Sequence, residues 1–114
     1  MTTLEYFFLI MLGIQLIHSI EELSNKFHEK FPLFPMTFKF FLSFEIIFFS
    51  FWTLIYFVEI PLREYLMAFF VLLMFGNGIW HITWYGIEKK YVPGIVTAPL
   101  FVIAFTIFYF QKIF

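Results

Sequence analysis

The segment MTFKFFLSFEIIFFSFWTLIYFV, residues 36–58, is apolar except for a few small polar residues and two charges, Lys39 and Glu45. About 20 such residues cross a bilayer as a helix, so the segment predicts a membrane span with Glu45 inside it. Similar runs lie on either side. Residues 4–20 precede it and end in Glu21-Glu22, while residues 65–86 and 95–110 follow. Polar breaks separate them: residues 21–35 with Pro32 and Pro35, a tight turn at Glu59, Pro61, Arg63 and Glu64, and residues 87–94 with Glu88, Lys89 and Lys90. Lipid requires backbone groups to be paired internally, and no barrel-like alternation is present. We therefore expect an all-α fold, an integral membrane bundle of four transmembrane helices near 4–22, 36–58, 65–87 and 95–112, in a single domain over 1–114.

Composition agrees with that fold class and excludes several functions. The chain has 114 residues, 62% hydrophobic and 13% charged, against roughly 25% charge in ordinary soluble domains. Mean hydropathy is +0.91. Four spans would take roughly 80 residues, which leaves no room for a soluble catalytic domain. Any chemistry must come from the spans and the loops at their ends. Seven Lys and Arg against eight acids give a net charge of −1, so no nucleic-acid partner is expected. Every acid is Glu, and the absence of Cys removes disulfides, thiolate metal sites and Cys nucleophiles. The 21 Phe carry no functional weight, and those of the second run read as lipid-facing packing. The acidic end of the first run lacks a small-residue cleavage site, so no removable signal peptide is expected.

Lys and Arg set the expected orientation. Lys26, Lys30, Lys39, Lys89 and Lys90 belong to the side of the first and third loops, against Arg63 and Lys112 on the other. This predicts a multi-pass protein of the cell membrane with loops one and three cytoplasmic and both termini outside. Trp80 and Trp84 would then suit an interfacial belt. A bundle this small invites a homodimer, yet Gly76 and Gly78 are two apart and do not form a small-xxx-small seam.

Ionisable groups inside a bilayer are costly, at least about 2.5 kcal/mol each on insertion scales, so those that remain point to a site. His18 and Glu22 are spaced i, i+4 with Glu21 beside them, and Gln15 lies one turn earlier. Asn77 and His81 are likewise i, i+4 on the third run, and Glu45 stands alone on the second. At about 1.5 Å per residue, Glu45 lies roughly 13 Å in from its loop, Asn77 roughly 13 to 15 Å and His81 roughly 8 Å. These depths place the polar groups in one half of the membrane. Simpler readings exist for some of them. Glu21 and Glu22 can be a solvated helix end, and His81 can bond a neighbouring carbonyl. Glu45 resists such a reading, because Lys39 is off its helical face.

The same residues form three ordered motifs. His18 to Glu22 reads HxxEE, Asn77 to His81 reads NxxxH, and Tyr91 to Thr97 reads YxPGxxT. In order and spacing they resemble the HXXEE family of small bacterial integral membrane proteins. The resemblance implies a membrane-bound enzyme whose site uses His18, Glu21, Glu22, Asn77, His81, Tyr91 and Thr97; it names no substrate. Glu45 comes from the membrane-cost argument alone. Pro93-Gly94 fits a turn opening the last helix, and we expect turn chemistry to be its whole role. Thr97 falls near the positive end of that helix, where an anionic substrate group or a carboxylate ligand would be stabilised; the simpler reading is that Thr97 bonds its own backbone.

Two His with Glu residues from facing helices resemble the ligand sets of metal carboxylate bundles. Nitrogen and oxygen donors without sulfur favour a divalent Zn, Fe or Mn. We expect His18, Glu22 and His81 as primary ligands, with Glu21 or Glu45 as a further ligand or general base and Asn77 orienting a carboxylate or substrate. The substrate would be a lipid or another apolar molecule. HxxEE is not HExxH, so a zincin-type protease is unsupported. Proton or cation transport, or binding of a small ligand, is the competing class for the same cluster; the nearly apolar opposite halves of the runs argue against a continuous path. Pairing of these groups merely to fix helix register is the third reading.

Overall fold

Helix α1, Thr3–Ser24, starts at a capping box. Thr2 Oγ1 accepts from the Glu5 amide at 3.1 Å, and the Glu5 carboxylate accepts from the Thr2 amide at 2.9 Å. It stops at Asn25, whose side-chain amide donates to the Glu21 carbonyl at 2.8 Å. Lys26 then takes a left-handed conformation at φ 59° and redirects the chain into the single-turn α2, Phe27–Lys30. Pro32 and Pro35 keep the following stretch out of a helix, and the chain bends at residues 32–34. Thr37 caps α3, Phe38–Phe57, by accepting from the Phe40 amide at 3.1 Å. Helix α4 runs Arg63–Glu88 and ends on Lys89 at φ 57°, and α5 runs Ala98–Ile113. This computed structural model describes residues 1–113, and among them no strand occurs.

Each helix buries a narrow stripe at helical spacing. Phe8, Met11, Gln15, His18 and Glu22 line α1, while Phe41, Glu45, Trp52 and Ile55 line α3. Met67, Phe70, Met74, Gly78 and His81 line α4, and Ala98, Phe101 and Ala104 line α5. The main core gathers Phe8, Met11, Trp52 and Phe70 with Phe101. A second, smaller core of Phe27, Phe41, Trp84 and Val92 forms at the loop end. The opposite faces are apolar as well: Ile17, Ile47, Leu54, Phe69 and Leu72 each expose more than half their surface. Such a surface suits lipid and not water.

Three helices, α1, α3 and α4, are long and apolar enough to cross a membrane. The expectation of four helices is corrected on two points. Five helices occur among the described residues, because the first loop contains α2. The last helix begins at Ala98 and not at residue 95, and its 16 residues give about 24 Å at 1.5 Å per residue. Residues 93–97 form turns instead, and their free amides are bound by Glu21, as described below. Trp84 is also corrected. It is 4% exposed and packs edge-on against Phe27 at 5.9 Å, a core residue and not an interfacial anchor.

At the end of the bundle away from α2, Arg63 ties three elements together. Its Nη2 lies 3.0 Å from Glu5 and 2.8 Å from the Tyr56 carbonyl, which is otherwise an orphan at the end of α3. Helices α4 and α5 approach most closely at Gly78, where a Cβ would stand 2.8 Å from the Ala98 carbonyl oxygen and 3.0 Å from Phe101 Cβ. Gly78→Ala should therefore destabilise the protein by about 1–3 kcal/mol. Gly13→Ala, with nothing within 4 Å of the added carbon, should be neutral or gain up to about 1 kcal/mol. Thermal melts of both variants in detergent would check the contrast.

Candidate functional site

The HxxEE segment places His18 and Glu22 one turn apart on the buried stripe of α1, facing His81 of α4. His18 Nε2 and His81 Nε2 are 3.1 Å apart. Glu22 Oε2 lies 3.2 Å from His81 Nε2 and 3.6 Å from His18 Nε2. All three side chains are buried, and the two imidazoles meet edge to face, with centroids 4.5 Å apart. Phe101 packs on the flank of His18 at 5.1 Å, and Phe27 of α2 covers His81 at 5.9 Å. Helix α2, absent from the sequence expectation, thus supplies the lid of the site.

Glu21, the neighbour of Glu22, points elsewhere. Its carboxylate accepts from the Tyr91 hydroxyl at 2.7 Å, from the amides of Gly94, Val96 and Thr97 at 3.0, 3.2 and 3.0 Å, and from the Thr97 hydroxyl at 2.7 Å. The anion at the start of the last helix is therefore the chain's own Glu21. Partial burial, reinforced by the Glu21 carboxylate, pushes the Tyr91 phenol well above its ordinary range, so Tyr91 stays a donor. The YxPGxxT motif is the receptor for this carboxylate.

That receptor also orients His18. Thr97 Oγ1 has one proton, and the short bond to a carboxylate claims it over the 3.4 Å approach to the Gly94 carbonyl. The same oxygen lies 2.7 Å from His18 Nδ1, so it must accept there, and the bonding pattern assigns the proton to Nδ1. The lone pair of His18 Nε2 then faces His81 and Glu22. A carboxylate acting through a hydroxyl on an imidazole is the type of outer support that orients metal-bound histidines.

Gly94 does more than turn. At φ 99°, it presents its α-carbon to both imidazoles, and a Cβ there would lie 2.5 Å from His81 Cε1 and 2.7 Å from His18 Cε1. The sequence expectation of turn chemistry alone is thus incomplete, since the close approach of two rings from distant segments has no local signature. His81 Nδ1 finds no hydrogen-bond partner among the described residues.

Residues 9–109 match the family described as protein of unknown function with HXXEE motif. The chain belongs to the HXXEE family. Neither the curated proteins nor the solved structures contain a match. The family's name-giving segment therefore divides into two roles here: His18 and Glu22 build the buried group, while Glu21 binds the loop that positions it.

The remaining sequence candidates fall around this group. His18, Glu22 and His81 bring ligand atoms within 4.8 Å of one another, and Glu45 and Glu21 are not members of that set. Glu45 accepts from Ser19 Oγ and, at 3.4 Å, from Gln15 Nε2; Gln15 Nε2 also donates to Ser19 Oγ at 3.0 Å. The role of Ser19 was not read from the sequence, although its i, i+4 spacing from Gln15 was available. Asn77 makes no side-chain hydrogen bond with the described residues and lines a cavity of about 680 Å³ between α3 and α4, together with Gln15, Glu22, Glu45 and His81. Tyr91 and Thr97 do not reach the cavity. Removing one hydrogen bond with Tyr91→Phe should cost about 1 kcal/mol. Glu21→Ala, which leaves several donors unpaired, should cost more than about 2 kcal/mol. Denaturation of the two variants in detergent would test the ranking, and equal losses would contradict the five-bond assignment.

Proposed function

We propose that this protein is a membrane-embedded enzyme that holds a divalent metal ion on His18, Glu22 and His81 and acts on a lipid or another apolar molecule. One observation carries the metal reading. Three buried candidate ligand atoms, His18 Nε2, His81 Nε2 and Glu22 Oε2, stand 3.1, 3.2 and 3.6 Å apart. Ligand atoms 2.0–2.1 Å from a tetrahedral metal lie roughly 3.3–3.4 Å apart. With His18 protonated at Nδ1, its Nε2 lone pair faces the other two, as a ligand's would. The donor set has no sulfur, which suits Zn, Fe or Mn.

A bound metal would polarise a substrate oxygen or activate water. The chain's own residues do the rest. Glu21 and Thr97 hold the His18 ring, Gly94 keeps both rings edge to face, and Phe27 excludes water from the loop side. Glu21 is engaged by the 91–97 loop, which leaves Glu45 as the proton acceptor beside the cavity and Asn77 to orient the substrate. The distribution of Lys supports a cytoplasmic site in the cell membrane, with both termini outside. Helix α5, preceded by Ile95 and Val96, serves as the fourth crossing, its shortness met by local thinning of the bilayer.

Elemental analysis of the purified protein should find about one divalent metal per chain. His18→Ala, Glu22→Ala and His81→Ala should each lose it, whereas Glu29→Ala and Glu45→Gln should retain it. Thr97→Val should weaken metal binding about 10- to 100-fold, and Thr97→Ser should restore it. A native protein without stoichiometric metal, with melting unchanged by chelator, would sink the proposal.

A further inference from the structure

The cavity between α3 and α4 has two chemically distinct ends. Its outer wall is formed by Phe40, Phe44, Phe69 and Leu72, each about half exposed on faces that carry only apolar side chains. An opening bordered this way leads to hydrocarbon and not to water. The inner end holds Gln15, Glu22, Glu45, Asn77 and His81. At about 680 Å³ the space falls within the range of small-molecule sites, roughly 300–1,000 Å³. Gly76 also lines it, and a Cβ on Gly76 would meet nothing within 4 Å. The free space therefore reaches the α4 backbone.

The Gln15–Glu45 corner of the inner end is short of hydrogen-bond donors. Gln15 is 3% exposed, and its Nε2 is engaged by Ser19 and Glu45. The opposite amide orientation would set two oxygens against each other at Glu45, so the assignment follows from the bonding pattern. This leaves Gln15 Oε1 buried without a partner. Both bonds to Glu45 go to Oε2, so its Oε1 is an acceptor too. Leaving a buried acceptor unsatisfied costs roughly 1–3 kcal/mol, so an occupant that donates a hydrogen is favoured there. A metal beside it on Glu22 and His81 disfavours a positively charged head.

We propose that the cavity binds a single aliphatic chain with a neutral hydroxyl at its end, entering sideways from the bilayer between α3 and α4. The hydroxyl donates to Gln15 Oε1, and its oxygen faces Asn77 and the His/Glu group. The neutral head rests on the metal reading above; the lateral entry and the need for a donor do not.

The test uses the full chain in liposomes with a C12 primary alcohol carrying a diazirine, and peptide mapping after photolysis. Labelling should concentrate on residues 40–48 and 69–77 over the lipid faces at Ile17 and Leu54. At equal mole fraction in the bilayer, dodecanol should compete about tenfold better than its methyl ether, as one lost hydrogen bond implies. Gly76→Leu should abolish cavity labelling, and Gln15→Leu should erase the preference for alcohol over ether; both should keep the metal content of the native protein. Uniform labelling of lipid faces, or equal competition by the ether, would overturn the proposal even if metal is present. Preference for dodecylamine would overturn the neutral head, and metal analysis of the same samples shows whether the metal reading fails with it.

Discussion

The Glu21 carboxylate is the constraint on which the rest of the site depends. It belongs to α1, yet all five of its hydrogen bonds come from the segment joining α4 to α5. A carboxylate at the edge of a membrane is expensive unless fully paired, and three consecutive-turn amides with two hydroxyls pair it. Those amides are free to point at one anion because they precede or open the last helix, where backbone N–H groups have no intrahelical partner. The start of α5 at Ala98, the left-handed Gly94 and the close approach of that glycine to both imidazoles belong to the same segment that Glu21 binds. Because Thr97 receives His18 Nδ1 while donating to Glu21, the same carboxylate also sets which nitrogen of His18 is free.

Polar groups in this chain are tolerated because they are sorted into closed sets at the two ends of the bundle. Arg63 binds Glu5 and the exposed carbonyl of Tyr56 at one end. Glu21 and its loop occupy the other, and Glu45 is held by Ser19 and Gln15 between α1 and α3. Between them the packing is aromatic and aliphatic, with Phe70 in ring contact with both Phe8 and Trp52. The His18, Glu22 and His81 group differs from the other sets: two imidazoles and a carboxylate from α1 and α4 meet only one another, buried, at 3.1–3.6 Å.

How far the sequence foretold this depends on whether a feature is local or long-range. Hydropathy marked α1, α3 and α4 to within a few residues, because burial in lipid leaves a continuous signal. Spacing of i, i+4 put His18 with Glu22 and Asn77 with His81, since helical periodicity is a property of one segment. An anion at the start of the last helix was legible from Thr97, but not that it is the chain's own Glu21 and no substrate group. Adjacent Glu21 and Glu22 look alike in sequence, and only the position of residues 91–97 separates the one that binds the loop from the one that faces His81. The short α2 was hidden among the charges of the first loop, where four residues carry no periodicity. Trp84 looked interfacial because its partner, Phe27, comes from that same unforeseen turn.

The packing also gives the site a direction. On the α5 side Phe101 and Gly94 press directly on the imidazoles, and on the loop side Phe27 stacks on Phe41 at 4.7 Å. Phe27 and Phe41 are also part of the wall of the cavity between α3 and α4, whose inner end holds Glu22, Glu45 and His81. Beyond that polar end stands the core of Phe8, Met11, Trp52 and Phe70. The polar groups therefore line one cavity at this end of the bundle, and the aromatic core separates them from the Arg63 set at the other.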